Sequence, residues 1–354
     1  MKVLKFLMFI LPAIIIFSCY SNDPDCGYSV GKDPIFWERT IFWNTTPERL
    51  TSISGIAVAN NGDLWATTSD GIFLSTNNGD TWIPKSRSFF STSSLTAIAI
   101  SPINGYIFVT SPTHRGMFRS TDNGENWVLV TYNMDIRDII ITPSGEIYIG
   151  VEYYNPTTTT IYYSNDNGDT WVEKNNRLPF YAGESSPFVF IIGSILSLAL
   201  GKDGTLYAWF FDKGLYCSND GGDNWLPLPF SNYNNAAVEL TVSYDGSILM
   251  TTNGYGVLKS TDRGVTWIQA NTGLYDFSLV SIIYNPISKD IFVSNNSFND
   301  PRIYRSTNLG ASWKLENTDI QMVTGIRGAF AVNPNTGQLY VAGRYGLYRL
   351  RNYP

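Results

Sequence analysis

The stretch that decides the fold is STDNGENW, residues 120–127. It recurs as STNNGDTW at 75–82, SNDNGDTW at 164–171, SNDGGDNW at 218–225, STDRGVTW at 260–267 and STNLGASW at 306–313. The shared pattern is S-[TN]-[DN]-x-G-x-x-W. Successive tryptophans (Trp82, Trp127, Trp171, Trp225, Trp267, Trp313) stand 45, 44, 54, 42 and 46 residues apart. A repeat of about 40–45 residues, each a small turn-rich unit, predicts the four-stranded blade of a β-propeller.

Working outward from one copy gives the rest of the blade. Residues 53–59 alternate as an inner strand, and Asn60-Asn61-Gly62-Asp63 is a tight turn rich in residues that tolerate positive φ. Leu64 to Thr68 is the second strand, Gly71 to Ser75 the third, and Trp82 opens the fourth. The same order begins again at Leu95, Ile136, Ile195, Val238, Val280 and Ile326. Blade six replaces the glycine turn with Ile287-Ser288-Lys289-Asp290. Seven starts and six octapeptides leave the last unit without an outer strand, an open edge that folded proteins avoid. Phe36-Trp37-Glu38-Arg39-Thr40 resembles the missing strand, so the expected fold is one all-β, seven-bladed propeller over residues 36–354, closed by its N-terminus.

Composition agrees. The chain has 354 residues, 15% aromatic and 15% charged, with 30 Gly and 17 Pro. That excludes a coiled coil, and 44% hydrophobic residues exclude intrinsic disorder. With 24 Lys+Arg against 30 Asp+Glu there is no positive field for nucleic acid. Residues 1–18, MKVLKFLMFILPAIIIFS, combine Lys2 and Lys5 with an apolar run too short for a membrane span, which predicts an export signal. Ser18-Cys19 resembles a bacterial lipobox, which implies a lipid on Cys19, a polar tether over 19–35 and a place in the outer membrane or at the cell surface. A monomer is expected. A bridge between Cys26 and Cys217 is open, although Cys217 reads as an incidental strand residue.

The octapeptide resembles the Asp box of bacterial neuraminidase-repeat propellers, and the resemblance spans nearly all of residues 36–354. It implies a structural role for Asn77, Asp122, Asp166, Asp220, Asp262, Asn308 and the six tryptophans. In layout the chain is similar to the photosystem II stability and assembly factor family, a binding chaperone. Gly62 to Thr68 with Gly71-Ile72-Phe73 is similar to two-component-regulator propeller repeats. The same superfamily contains sialidases, which implies a possible exo-sialidase. However, the Arg-Ile-Pro motif is absent, Pro301-Arg302-Ile303 standing instead. Arg115 (beside His114), Arg137, Arg327 and Arg344 are the arginines available for a cluster.

Function is expected on the face opposite the octapeptides, where loop lengths vary. Rings beside acids and amides stack on sugars and bond their hydroxyls, so Tyr153, Tyr154, Phe180, Tyr181, Phe298 and Arg302 are the candidate ligand-binding residues. Phe211 and Asn299 lie near them. A hydrolase would need two carboxylates about 5–10 Å apart, and Glu152, Glu184, Asp212 and Asp300 are the candidates. No metal-ligand spacing, phosphate loop or cofactor motif is present. The expected function is non-catalytic binding of a glycan or an envelope protein, with glycoside hydrolysis as the alternative.

Overall fold

The computed structural model describes residues 36–40, 53–68, 70–85, 95–112, 114–154, 157–178, 195–210, 213–230, 237–295, 297, 300–317, 330–343 and 346–351. The export signal, the tether, Cys19 and Cys26 lie outside them. The described residues form seven four-stranded antiparallel sheets. The chain is a seven-bladed β-propeller. In blade 1 the strands are Ile53–Val58, Leu64–Thr68, Gly71–Ser75 and Ile83–Pro84. The inner strands of blades 2 to 7 are Ile98–Ile100, Asp135–Ile141, Ile195–Leu200, Ala237–Val242, Leu279–Tyr284 and Phe330–Val332. In blade 7 the outer position is held by Phe36–Thr40, which runs antiparallel to Gly346–Arg351. The outer strands of blades 1 to 5 are only two residues long and exposed.

The core is divided among the joints between blades. Second strands such as Ile107–Ser111 and Ile248–Thr252 are buried at every position, because each is covered by a blade on either side. That is why they are apolar or hydroxylated in both parities instead of alternating. Trp65 and Ile72 pack toward blade 2 with Ile98 and Phe118, while Leu64 and Phe73 pack toward blade 7 with Tyr340 and Leu347. Seven such clusters serve the seven joints, including the one between the last blade and the first. Cys217 is buried in the cluster between blades 4 and 5, where desolvation raises its thiol pKa.

The octapeptides explain their own residue choices. In the third copy Ser164 Oγ accepts from Gly168 N at 2.8 Å and donates to Asp166 Oδ1 at 2.7 Å. Asp166 in turn accepts from Thr170 N at 2.9 Å and Thr170 Oγ1 at 2.6 Å. The fourth and fifth positions are both left-handed, as at Asn167 (φ 61) and Gly168 (φ 86). All six tryptophan indoles donate to backbone carbonyls. The serine's role as hub was not apparent in the pattern; it ties the acid to the glycine N–H.

Five of the six octapeptides are also clamped by a cation of the preceding blade. Arg119 donates to Asn167 O and pairs with Asp169, both at 2.7 Å. Lys259 reaches Leu309 O at 2.7 Å, and Lys85 and Lys174 pair with Glu125 and Asp223. Arg349 closes the set on Asn78 O at 2.8 Å and Asp80 at 2.6 Å. At the inner strands a β-bulge turns one side chain toward the next blade. There Asp138 accepts from Leu198 N at 2.7 Å, Ser197 from Leu240 N at 3.2 Å and Glu239 from Ile282 N at 2.8 Å. Polar residues in otherwise apolar strands thus join neighbouring blades.

Candidate functional site

Antiparallel blades send their turns to two opposite faces. The first turns and the octapeptides share one face; the second-to-third-strand loops and the links between blades make the other. The strongly perturbed acids are on the octapeptide face. The carboxyls of Asp122, Asp166, Asp220 and Asp262 are each lowered to about 2 by hydrogen bonds from their own turn. The leading donor is the backbone N–H of Asn126 for Asp122 and the side chains of Thr170, Asn224 and Thr266 for the others. Such acids are locked as acceptors and are structural.

On the variable face, Glu152, Tyr153 and Tyr154 end the strand Ile147–Tyr154, with Glu152 in register with Asp135 and Thr159. Phe180, Tyr181, Glu184, Phe211, Asp212, Phe298, Asn299, Arg327 and Arg344 lie outside the described residues. Asp300 and Arg302 are described, and they form an ion pair. Asn295 organises them: its side chain accepts from Arg302 N at 2.8 Å and donates to Asp300 O at 2.9 Å and Asp276 Oδ2 at 2.8 Å. Arg137 pairs with Asp135 at 3.3 Å. His114 Nδ1 lies 3.1 Å from Ser111 Oγ, and its ring meets Phe118 edge-on. Among the described residues no group of three His, Cys, Asp or Glu side chains is placed to hold a metal.

The same face carries a platform that the sequence reading did not single out. Tyr255, Tyr275 and Phe277 are 40%, 75% and 45% exposed. The backbone is nonetheless pinned at Tyr255 and Phe277. Gly254 N and Gly256 N both donate to Phe277 O at 2.9 Å, and Asn271 Nδ2 donates to Tyr255 O at 2.8 Å. Asp276, between two of the rings, accepts from Ser278 N at 2.9 Å and from Asn295. Three exposed rings, two of them on a pinned backbone, therefore stand beside the Asn295–Asp300–Arg302 network, to which Asp276 is bonded. The sequence signal was Tyr275-Asp276-Phe277 in a short link, rings flanking an acid where no strand needs them.

Solved structures share the fold. YCF48 from Cyanidioschyzon merolae aligns with a TM-score of 0.63 at 16% identity, over 89% of this chain and 98% of that one. Virginiamycin B lyase from Staphylococcus aureus aligns at 0.65 and 16%, over 90% and 99%. The GH74 enzyme of Niastella koreensis aligns at 0.57 and 18%, over 84% of this chain but 52% of that one. No curated protein matches the sequence. At such identities the likeness is one of fold, and it spans lyase, hydrolase and other propellers alike. The profile of the DUF6242 beta propeller domain matches residues 32–275, and the chain belongs to that family.

Proposed function

We propose that this protein is a non-catalytic binding propeller, exported and held at the cell envelope through a lipid on Cys19, whose variable face binds a glycan or a protein. The observation that carries the reading is the set of exposed rings, Tyr255, Tyr275 and Phe277, with the backbone fixed by hydrogen bonds at Tyr255 and Phe277. Aromatic side chains left in water on a rigid support cost hydrophobic free energy that a partner recovers. Asp276, Asn295 and Asp300 offer polar groups beside them. A structure titled "YCF48 bound to D1 peptide", with a TM-score of 0.62 and 14% identity, supports the idea that a ring of this kind holds a peptide.

Glycan-array and peptide-array binding, run beside hydrolysis assays on the same sugars, tests the proposal. Saturable binding that Tyr275→Ala and Phe277→Ala each weaken by about tenfold, or about 1.4 kcal/mol, is the expected result. Release of sialic acid or of any sugar would replace this reading with the exo-sialidase or another glycosidase.

A further inference from the structure

The octapeptide face is stitched from turn to turn at most joints. Asn60 Nδ2 donates to Pro102 O at 2.7 Å between blades 1 and 2, and Asn285 Nδ2 to Gly337 O at 2.7 Å between blades 6 and 7. Asn335 reaches Asn60 O between blades 7 and 1. Ile103 lies against Gly145 between blades 2 and 3, and Tyr244 leans on Tyr284 between blades 5 and 6. Between blades 4 and 5 the arrangement opens. A Cβ placed on Gly204 or on Gly246 would meet nothing within 4 Å. A cavity of about 460 Å³ lies there, lined by Lys202, Asp203, Tyr207, Tyr244, Asp245 and Arg263, among others.

Its chemistry is lopsided. Asp245 has spent its oxygens on Ser243 Oγ at 2.6 Å, Ser247 N at 3.0 Å and Ser247 Oγ at 3.0 Å. Asp203 accepts from Thr205 N at 3.1 Å. The cations are less committed. Among the described residues Lys202 has no ion-pair partner, and Arg263, 71% exposed, makes a single 3.3 Å contact with Asp203. An exposed pair of that length contributes little and yields readily to a better acceptor. Arg263 is also out of keeping with its place: it holds the left-handed fourth position (φ 61) where the fourth octapeptide has Gly221. The walls add the buried Tyr207, Val242 and the half-exposed Tyr244, whose ring centroid lies 5.1 Å from the Lys289 ammonium.

We infer that this cavity is a second binding site, for a sugar bearing a carboxylate. Arg263 would take the carboxylate as a fork, Lys202 would add a point charge, and the half-exposed ring of Tyr244 would meet a C–H face of the pyranose. The cavity falls within the size range of small-ligand sites. The site is on the opposite face from the rings of the proposed function and does not depend on them.

The test is NMR titration of the purified protein with glucuronate, glucose and acetate. Glucuronate should give saturable shifts at Gly204 and Gly246, with glucose and acetate each weaker by about tenfold or more. Added salt should weaken it. Arg263→Gly, which installs the residue natural to the fourth octapeptide, and Lys202→Ala should each reduce affinity by about tenfold while the melting temperature holds. Phe277→Ala should leave it unchanged. Absence of saturation, acetate binding as well as glucuronate, an unaffected Arg263→Gly variant, or loss of binding in Phe277→Ala would each overturn the inference.

Discussion

At the scale of single residues, the turn glycines separate two demands, a left-handed backbone and the lack of room for a Cβ. Gly124 has φ +82, and a Cβ there would stand 2.8 and 2.9 Å from the ring of Trp65 on the preceding blade. Gly204 has φ +85 but open space around it. Gly204→Ala should therefore cost only the left-handed conformation, about 1–2 kcal/mol. Gly124→Ala should add about 1–3 kcal/mol of overpacking, read as a larger fall in urea midpoint at constant slope. The octapeptide acids give a pH prediction. Asp122, Asp166, Asp220 and Asp262 titrate near 2 in the fold against 3.8 ordinarily, so the unfolded chain binds more protons between those values. Their stabilisation is complete above pH 3.8 and is lost as the pH falls toward 2. Asp166→Asn with Asp262→Asn should flatten the fall of melting temperature over that window and change little at pH 7. The first octapeptide shows why: Asn77 Oδ1 accepts from Thr81 N at 2.9 Å, and Asn77 Nδ2 donates to Thr81 Oγ1 at 2.8 Å, the same contact with the donor reversed.

At the scale of the elements, each joint is an apolar cluster, and five of the seven are fastened at one end by a cation set on the next octapeptide. Arg349 is 3% exposed and serves both Asn78 O and Asp80, so its removal loses two charge-assisted contacts and the packing of a buried guanidinium, while its exposed partners return to water. Arg349→Ala should cost about 1–3 kcal/mol. Lys85→Ala, whose partner Glu125 is largely exposed, should cost under about 1 kcal/mol. Equilibrium denaturation of the two variants side by side checks the ranking. The blades were legible in the sequence because each repeats its own tryptophan, glycine and alternation. The cation clamps were not, since Arg119 and Asp169 lie 50 residues apart and belong to different repeats. The candidate site divides in the same way. Variable loops could be located from spacing alone, and Asp300 and Arg302 do stand together. The Tyr255–Tyr275–Phe277 platform depends on backbone bonds between a turn and a link, for which no repeat gives a signal.

At the scale of the whole molecule, a ring whose core is shared out among seven joints is stable only while every joint is made. In an open stack the terminal repeats expose the faces they would bury, and contacts run only between neighbours. The joint between the last blade and the first carries Ile53, Phe73 and Trp82 against Ala331, Tyr340 and Leu347, so its loss would expose one of the seven clusters. What holds blade 7 in a four-stranded sheet is a strand from the other end of the chain. Phe36 to Thr40 pairs over five positions, from Phe36 opposite Arg351 to Thr40 opposite Leu347, whereas the outer strands of blades 1 to 5 have two residues each. The longest sequence separation in the fold is thus placed where the outer strand is longer than in those five blades. Removing residues 36–40 would leave Gly346–Arg351 as an unpaired edge and blade 7 with three strands. The truncated protein should lose its single cooperative unfolding transition and self-associate, as followed by calorimetry and light scattering. Arg349→Ala in the full-length chain should keep one transition at a lower temperature. If the truncation melts like the intact protein, the N-terminal strand is an ornament of the last blade and the ring is held by its side-chain clusters alone.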